Sequence, residues 1–278
     1  MRWLAVGLCV VSAGCARSEQ RFDTSEREHG RRELSSPARA SASRASAAAP
    51  TASGSALATA FAERQAERDR LLRATVESRG IADPRVLAAM RRVPRHRFVP
   101  HFLAGDAYSD RPLPIGWGQT ISQPYIVAAM TEAVSPKPGD RCLEIGTGSG
   151  YQAAVLAELC ARTYSIEYLP ELAAFAADNL RSLGYSIELR TGDGFRGWPE
   201  AAPFDVIVVT AAPEHIPPPL LDQLAVGGRL VIPVGPQNGA QDLMLTIRKT
   251  PGRGDRHFVQ QRLASVRFVP FLGDAGGP

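Results

Sequence analysis

The chain has 278 residues, 22% of them charged and 44% hydrophobic, ordinary values for a globular protein with a sizeable core. Its formal charge of +4 sits at the front: residues 1–60 carry eight arginines against five acids, and the remainder is close to neutral. That balance gives the folded part no broad basic face and argues against nucleic acid as a partner. Four cysteines, Cys9, Cys15, Cys142 and Cys160, are too few for a disulfide scaffold of this length.

Taken in order, Arg2 is a short positive segment and Trp3 to Val11 an apolar run too short to span a bilayer. Ser12-Ala13-Gly14-Cys15 resembles the site at which bacterial lipoproteins are cleaved and lipidated, although Ser12 stands where Leu, Val or Ile is usual. Residues 1–15 are therefore expected to be an export signal, with any membrane attachment through a lipid on Cys15. A misplaced start codon is the competing account. Residues 16–60 are expected to form a linker, because positions 35–60 hold 11 Ala and 7 Ser among 26 and bury too little apolar surface to offset their ordering entropy. The folded domain is then 61–278.

Residues 61–79 predict a helix with Leu71, Leu72, Thr75 and Val76 on one stripe and Gly80 as its stop. Asp83-Pro84 is a cap followed by a first-turn proline, and a helix through Val86, Leu87, Met90 and Val93 follows. Residues 95–121 show no period and read as a long functional loop or lid. Beyond them, helices at 123–135, 150–161, 170–182 and 217–224 interleave with strands at 141–145, 163–168, 186–191, 204–210 and 228–234. Short buried strands alternating with helices predict a doubly wound, mostly parallel α/β sheet of Rossmann-like type. Residues 241–269, around Pro251-Gly252-Arg253-Gly254, predict an antiparallel C-terminal edge hairpin.

The chemistry gathers at the ends of three successive strands. Glu144-Ile145-Gly146-Thr147-Gly148-Ser149-Gly150 is a strand, a glycine turn and a helix start, the arrangement that places a nucleotide-like ligand at the first strand's end. Tyr151 occupies the position where a dinucleotide fingerprint needs a third small residue, so a pyrophosphate ligand fits poorly. An acid at Glu144 suits a cationic sulfonium instead. Glu167 ends the second strand, where a carboxylate accepts from ribose hydroxyls, and Asp193-Gly194 follows the third, placed for an adenine. Singly, such a turn is often only a turn and such an acid only solvated; jointly they point to S-adenosylmethionine.

On the acceptor side, Gln119-Thr120-Ile121-Ser122-Gln123-Pro124 leads into a helix, where a helix cap is a complete account of Ser122. Thr210-Ala211-Ala212-Pro213 ends the fourth strand with small, near-neutral residues, favouring an acceptor that is already nucleophilic, such as a carboxylate. His96, His101 and His215 read as loop or surface residues and Cys142 and Cys160 as buried thiols. No metal-ligand spacing is present.

These residues resemble the protein-L-isoaspartate (D-aspartate) O-methyltransferases. The resemblance runs from about Leu71 to Leu272 and includes Val93-Pro94-Arg95, Leu113-Pro114-Ile115-Gly116, Gln119 to Tyr125, Leu143 to Gln152, Gly192-Asp193-Gly194, Val209 to Pro213 and Val266 to Pro270. Trp117 departs from the family's usual residue, and the first 60 residues have no counterpart in it. The resemblance implies repair methylation of isoaspartyl (and D-aspartyl) peptides and proteins by a cytoplasmic enzyme, taken here as a monomer without metal. It implies Ser122 as the active-site hydroxyl, with Glu144, Gly146, Thr147, Gly148, Ser149, Glu167, Asp193 and Gly194 for the cofactor and Thr120, Ile121, Thr210 and Ala211 for substrate. Two rivals remain: another acceptor such as RNA or a small molecule, and a lipid-anchored, non-catalytic peptide-binding module.

Overall fold

The computed structural model describes residues 54–273, apart from positions 238 and 253. The signal-like segment 1–15 and residues 16–53 of the expected linker lie outside the described residues. The expected boundary at 61 moves forward, since α1 (Gly54–Ala62) is a helix whose Ala60 is buried. Here the Ala content supports a helix, because no proline interrupts it after Pro50. Phe61, at its end, meets the Tyr185 ring edge-on at 6.0 Å.

The single helix expected over 61–79 is broken. Arg64 adopts a left-handed conformation (φ 53°) and separates α1 from α2 (Gln65–Leu71). The backbone then widens to a π turn over Leu72–Val76, tightens to a 3-10 turn at Glu77–Arg79 and stops at Gly80. In α3 (Pro84–Arg92) the expected cap is present, Asp83 accepting from the Arg85 N–H at 2.8 Å.

The aperiodic stretch 95–121 is not a plain loop. It holds 3-10 turns at Arg95–Phe98 and His101–Asp106, then a small antiparallel hairpin of β1 (Leu113–Gly116) and β2 (Gln119–Ile121). Strands of three and four residues are too short to show a period. Next comes α4 (Pro124–Val134), then β3 (Arg141–Ile145), α5 (Tyr151–Ala157), β4 (Arg162–Glu167), α6 (Pro170–Ser182) and β5 (Glu188–Thr191). The chain finishes with β6 (Phe204–Val209), α7 (Pro218–Asp222), β7 (Leu224–Val234), β8 (Gln241–Arg248) and β9 (Phe258–Val266).

The seven-stranded sheet runs β5-β4-β3-β6-β7-β8-β9, parallel from β5 to β7 and antiparallel at β8 and β9. This is the expected doubly wound, Rossmann-like sheet with its edge hairpin. Alternation along each strand assigns the two faces. Cys142, Val206, Val208 and Val231 pack with Met130 and Val134 of α4 and Leu156 of α5. Leu143, Ile145, Ile207 and Val209 pack on the other side with Leu220 of α7 and Phe271. The winding leaves β3 for β4 in one direction and returns to β6 on its other side, so the crevice opens at the carboxyl end of β3.

Cys142 and Cys160 are not free thiols but form a disulfide, with Cα atoms 6.3 Å apart. It joins the start of β3 to the residues after α5 and so encloses the whole glycine turn between them.

Candidate active site

At the end of β3 the chain turns through Gly146 (φ 93°), Gly148 (φ 56°) and Gly150 (φ 92°). These left-handed positions admit glycine at little cost and other residues with strain. The N–H groups of Gly146 and Thr147 donate to the Ile166 carbonyl of β4 at 2.8 and 3.2 Å. From the end of β6, the Thr210 hydroxyl lies 2.7 Å from the Gly146 carbonyl, which accepts its proton. A Cβ on Gly146 would stand 2.6 Å from that hydroxyl. Glu167, ending β4, accepts from the N–H groups of Gly148 at 2.8 Å and Leu169 at 3.1 Å. Burial pushes its pKa above the usual carboxylate range despite those bonds.

An open cleft of about 520 Å³ lies outside these strand ends. Of the residues selected from sequence, Gly146, Gly148, Glu167, Gly194, Thr120, Thr210 and Ala211 line it. Glu144, Thr147, Ser149, Asp193, Ile121 and Ser122 are not on its wall.

Glu144 is fully buried beneath the turn and does not line the cleft. Its carboxyl accepts from the Ser165 hydroxyl at 2.5 Å, and Ser165 is 2.6 Å from the Thr147 hydroxyl. Burial raises the Glu144 pKa to about 8, so at neutral pH the group is mostly protonated and props the turn without offering a charge. Ser149 is buried next to the turn, and Asn179 of α6 donates to its carbonyl at 3.0 Å. Asp193 accepts from the Phe195 N–H at 2.9 Å, which shapes the turn containing Gly194. Ile121 is buried and pairs with Leu113.

Ser122 follows β2 directly, but it is not the cap. The cap position of α4 is Gln123, whose side chain bonds none of the helix's N–H groups. The Tyr125 N–H is taken at 3.0 Å by Asp110, fifteen residues upstream. Among the described residues no group hydrogen-bonds the half-buried Ser122 hydroxyl.

Residues 66–276 match the sequence profile of the protein-L-isoaspartate(D-aspartate) O-methyltransferases. The chain belongs to that family. It is 58% identical over 206 residues to the protein-L-isoaspartate O-methyltransferase of Opitutus terrae, covering 74% of this chain and 86% of that one. It is 59% identical over 193 residues to that of Gloeobacter violaceus, covering 69% and 92%. A solved protein-L-isoaspartate O-methyltransferase superposes with a TM-score of 0.66 at 30% identity over 76% of this chain and 67% of its own. A Plasmodium falciparum protein, solved in complex with S-adenosyl-L-homocysteine, shares the fold with a TM-score of 0.63 at 24% identity, over 76% and 98%.

The methyltransferase's cleft has a wall that the sequence reading missed. Val269 to Leu272 run along it, tied to the strand end by Ala212 N–H to Val269 O at 2.9 Å and Phe271 N–H to Ala212 O at 3.2 Å. Phe271 packs on Phe195 with ring centroids 4.2 Å apart, next to Gly194, where an added Cβ would meet Ile145 at 2.4 Å. Tyr168 and Leu172 complete the side beyond Glu167. The signal for the tail was the apolar run ending in Pro270, but its docking partner lies nearly sixty positions away in sequence. Of the histidines expected in loops or at the surface, His101 and His215 are exposed. His96 instead bonds Tyr108 at 2.8 Å and Glu63 at 3.0 Å, behind the hairpin rather than in the cleft.

Proposed function

We propose that the chain moves the methyl group of S-adenosylmethionine to the free α-carboxylate of L-isoaspartyl, and D-aspartyl, residues in damaged peptides and proteins. One observation carries the choice of acceptor. Among the residues lining the cleft, the sole carboxyl, amine or imidazole group is that of Glu167, which already serves the glycine turn. Among the described residues that line the cleft, no other group could act as a general base toward an amine or hydroxyl. An acceptor with a reference pKa of about 3.3–3.9 is ionised at neutral pH and needs none.

The residues fit the proposed cofactor. The glycine cradle admits close approach of a ligand, Glu167 presents carboxylate oxygens to a ribose, and Gly194 with Phe271 offers a flat apolar seat for an adenine. When bound, S-adenosylmethionine supplies an electrophilic methyl on a sulfonium that leaves as a neutral thioether. The protein's task is then alignment of oxygen, carbon and sulfur in line. The Ser122 hydroxyl, which nothing among the described residues bonds, follows the lining pair Gln119 and Thr120 at the mouth of the cleft and donates to an acceptor carboxylate there, while Thr120 and Ala211 shape the wall against the peptide. Thr210 acts one step back, holding the Gly146 carbonyl. The resulting methyl ester closes spontaneously to a succinimide, part of which reopens to normal aspartate.

Methyl transfer to an isoaspartyl peptide, with its aspartyl twin as control, tests this reading. Labelling confined to the isoaspartyl peptide is the expected result. Labelling of both peptides, or of neither, overturns it.

A second reading concerns the compartment. Cofactor supply favours the cytoplasm, but the Cys142–Cys160 disulfide is a bond that persists in oxidising surroundings. It supports the exported form, anchored through Cys15.

A further inference from the structure

We propose that Asp110 is a positioning residue for methyl transfer, carrying the cap of α4 from outside the helix so that the Ser122 hydroxyl stays available to the substrate. The inference rests on the acceptor-site reading above. A helix begins with backbone donors that need partners, and a serine at its entrance ordinarily supplies one. Here Pro124 removes the first N–H, and Asp110 Oδ1 accepts the second, from Tyr125, at 3.0 Å. The other carboxylate oxygen accepts from Gln123 Nε2 at 2.8 Å, and the Asp110 carbonyl from the same nitrogen at 3.1 Å. The Gln123 side chain is thereby spent on Asp110 rather than on the helix.

Asp110 is itself held. Arg79, at the end of the N-terminal helical segment, donates to Asp110 Oδ2 at 2.8 Å and lies 3.9 Å over the Tyr125 ring. Further back, the fully buried Arg95 donates from Nε to the Ala107 carbonyl at 2.9 Å, fixing the segment that leads to Asp110. Asp110 therefore meets both residues flanking Pro124 on the α4 side of Ser122, while nothing among the described residues bonds the serine hydroxyl. The geometry separates two jobs that one serine would otherwise share.

Asp110→Asn keeps an oxygen for the Tyr125 N–H but sets an amide against Gln123 and Arg79. Its turnover number on an isoaspartyl peptide should fall about tenfold, the loss of roughly one charge-assisted hydrogen bond. Affinity for S-adenosylhomocysteine should not change, whereas general loosening of the fold would lower it. The deciding readout is the cycle with Ser122→Ala. If Asp110 acts through Ser122, adding Asp110→Asn to Ser122→Ala costs less than about twofold. Multiplying losses, or full turnover in Asp110→Asn alone, overturns the proposal. Should Asp110→Asn not fold, Arg79→Gln carries the same test with a loss of about threefold that vanishes beside Ser122→Ala. Full turnover in Ser122→Ala itself is a different failure, since it removes the acceptor-site reading beneath.

Discussion

The glycine turn after β3 and the segment entering α4 contribute to one cleft, yet the first is tied to the neighbouring strand ends of the sheet and the second to side chains from outside it. The turn is fastened by two N–H groups on the Ile166 carbonyl, by the Thr210 hydroxyl and by Glu167 at the Gly148 N–H. The entrance to α4 is fastened by a carboxylate from fifteen residues upstream, a glutamine amide and an arginine stacked on tyrosine. The glycine turn itself is written in consecutive residues, and its partners are the ends of neighbouring strands. A site held by distant side chains has a geometry that no local stretch of sequence contains. In the proposed function the turn forms the cofactor half of the cleft and the entrance to α4 its acceptor half.

The largest effect on cofactor affinity is expected where the glycine turn is broken. Gly146→Ala places a side chain at φ 93° and within 2.6 Å of the Thr210 hydroxyl. The left-handed strain alone costs about 1–2 kcal/mol, so affinity for S-adenosylhomocysteine should fall about tenfold or more by calorimetry. Unchanged affinity would show that the turn tolerates a substitution that its geometry forbids.

The disulfide sharpens the comparison, because it closes a loop around the turn and leaves the α4 entrance outside. For a sequence separation of 18, its removal in Cys142→Ser/Cys160→Ser should cost about 3 kcal/mol in urea unfolding. Alkylation of protein taken from cells tests the same bond in place, with a protected pair expected if the domain works in an oxidising compartment. Free thiols would return the enzyme to the cytoplasm.

A further effect, on stability rather than on binding, concerns the prop beneath the turn. Glu144 releases its proton near pH 8 when folded and near 4.5 in its ordinary state. Between those values the unfolded chain has lost a proton that the folded one keeps, so folding stability declines as pH rises through that window. Glu144→Gln should remove that decline, visible as a flatter stability profile between pH 5 and 8 relative to the parent. Parallel profiles would mean that the carboxyl is ionised in the fold.

What the sequence made legible follows the same division. The positions of β3 to β7 and α6, the glycine turn and Glu167 were all readable, because periodicity and turn chemistry are local signals. The hairpin of β1 and β2 was not, since strands of three and four residues carry no period and their stability comes from Ile115 and Leu113 packing inward. A cap was as complete an account of Ser122 as an active-site hydroxyl, because the group that takes the Tyr125 N–H, Asp110, lies fifteen positions before that tyrosine. Glu144 was read as a charge near the ligand because sequence does not reveal that its carboxyl points under the turn, into full burial. The tail at Val269–Leu272 and the pairing of Cys142 with Cys160 likewise depend on contacts that only the finished fold creates.

The most direct test of the two-part account is one titration, S-adenosylhomocysteine into Gly146→Ala and Asp110→Asn side by side with the parent enzyme. Weakened binding is expected in Gly146→Ala and parental binding in Asp110→Asn, although both lose turnover. Equal weakening in both variants would show that the two halves of the cleft are one cooperative unit, and would contradict it.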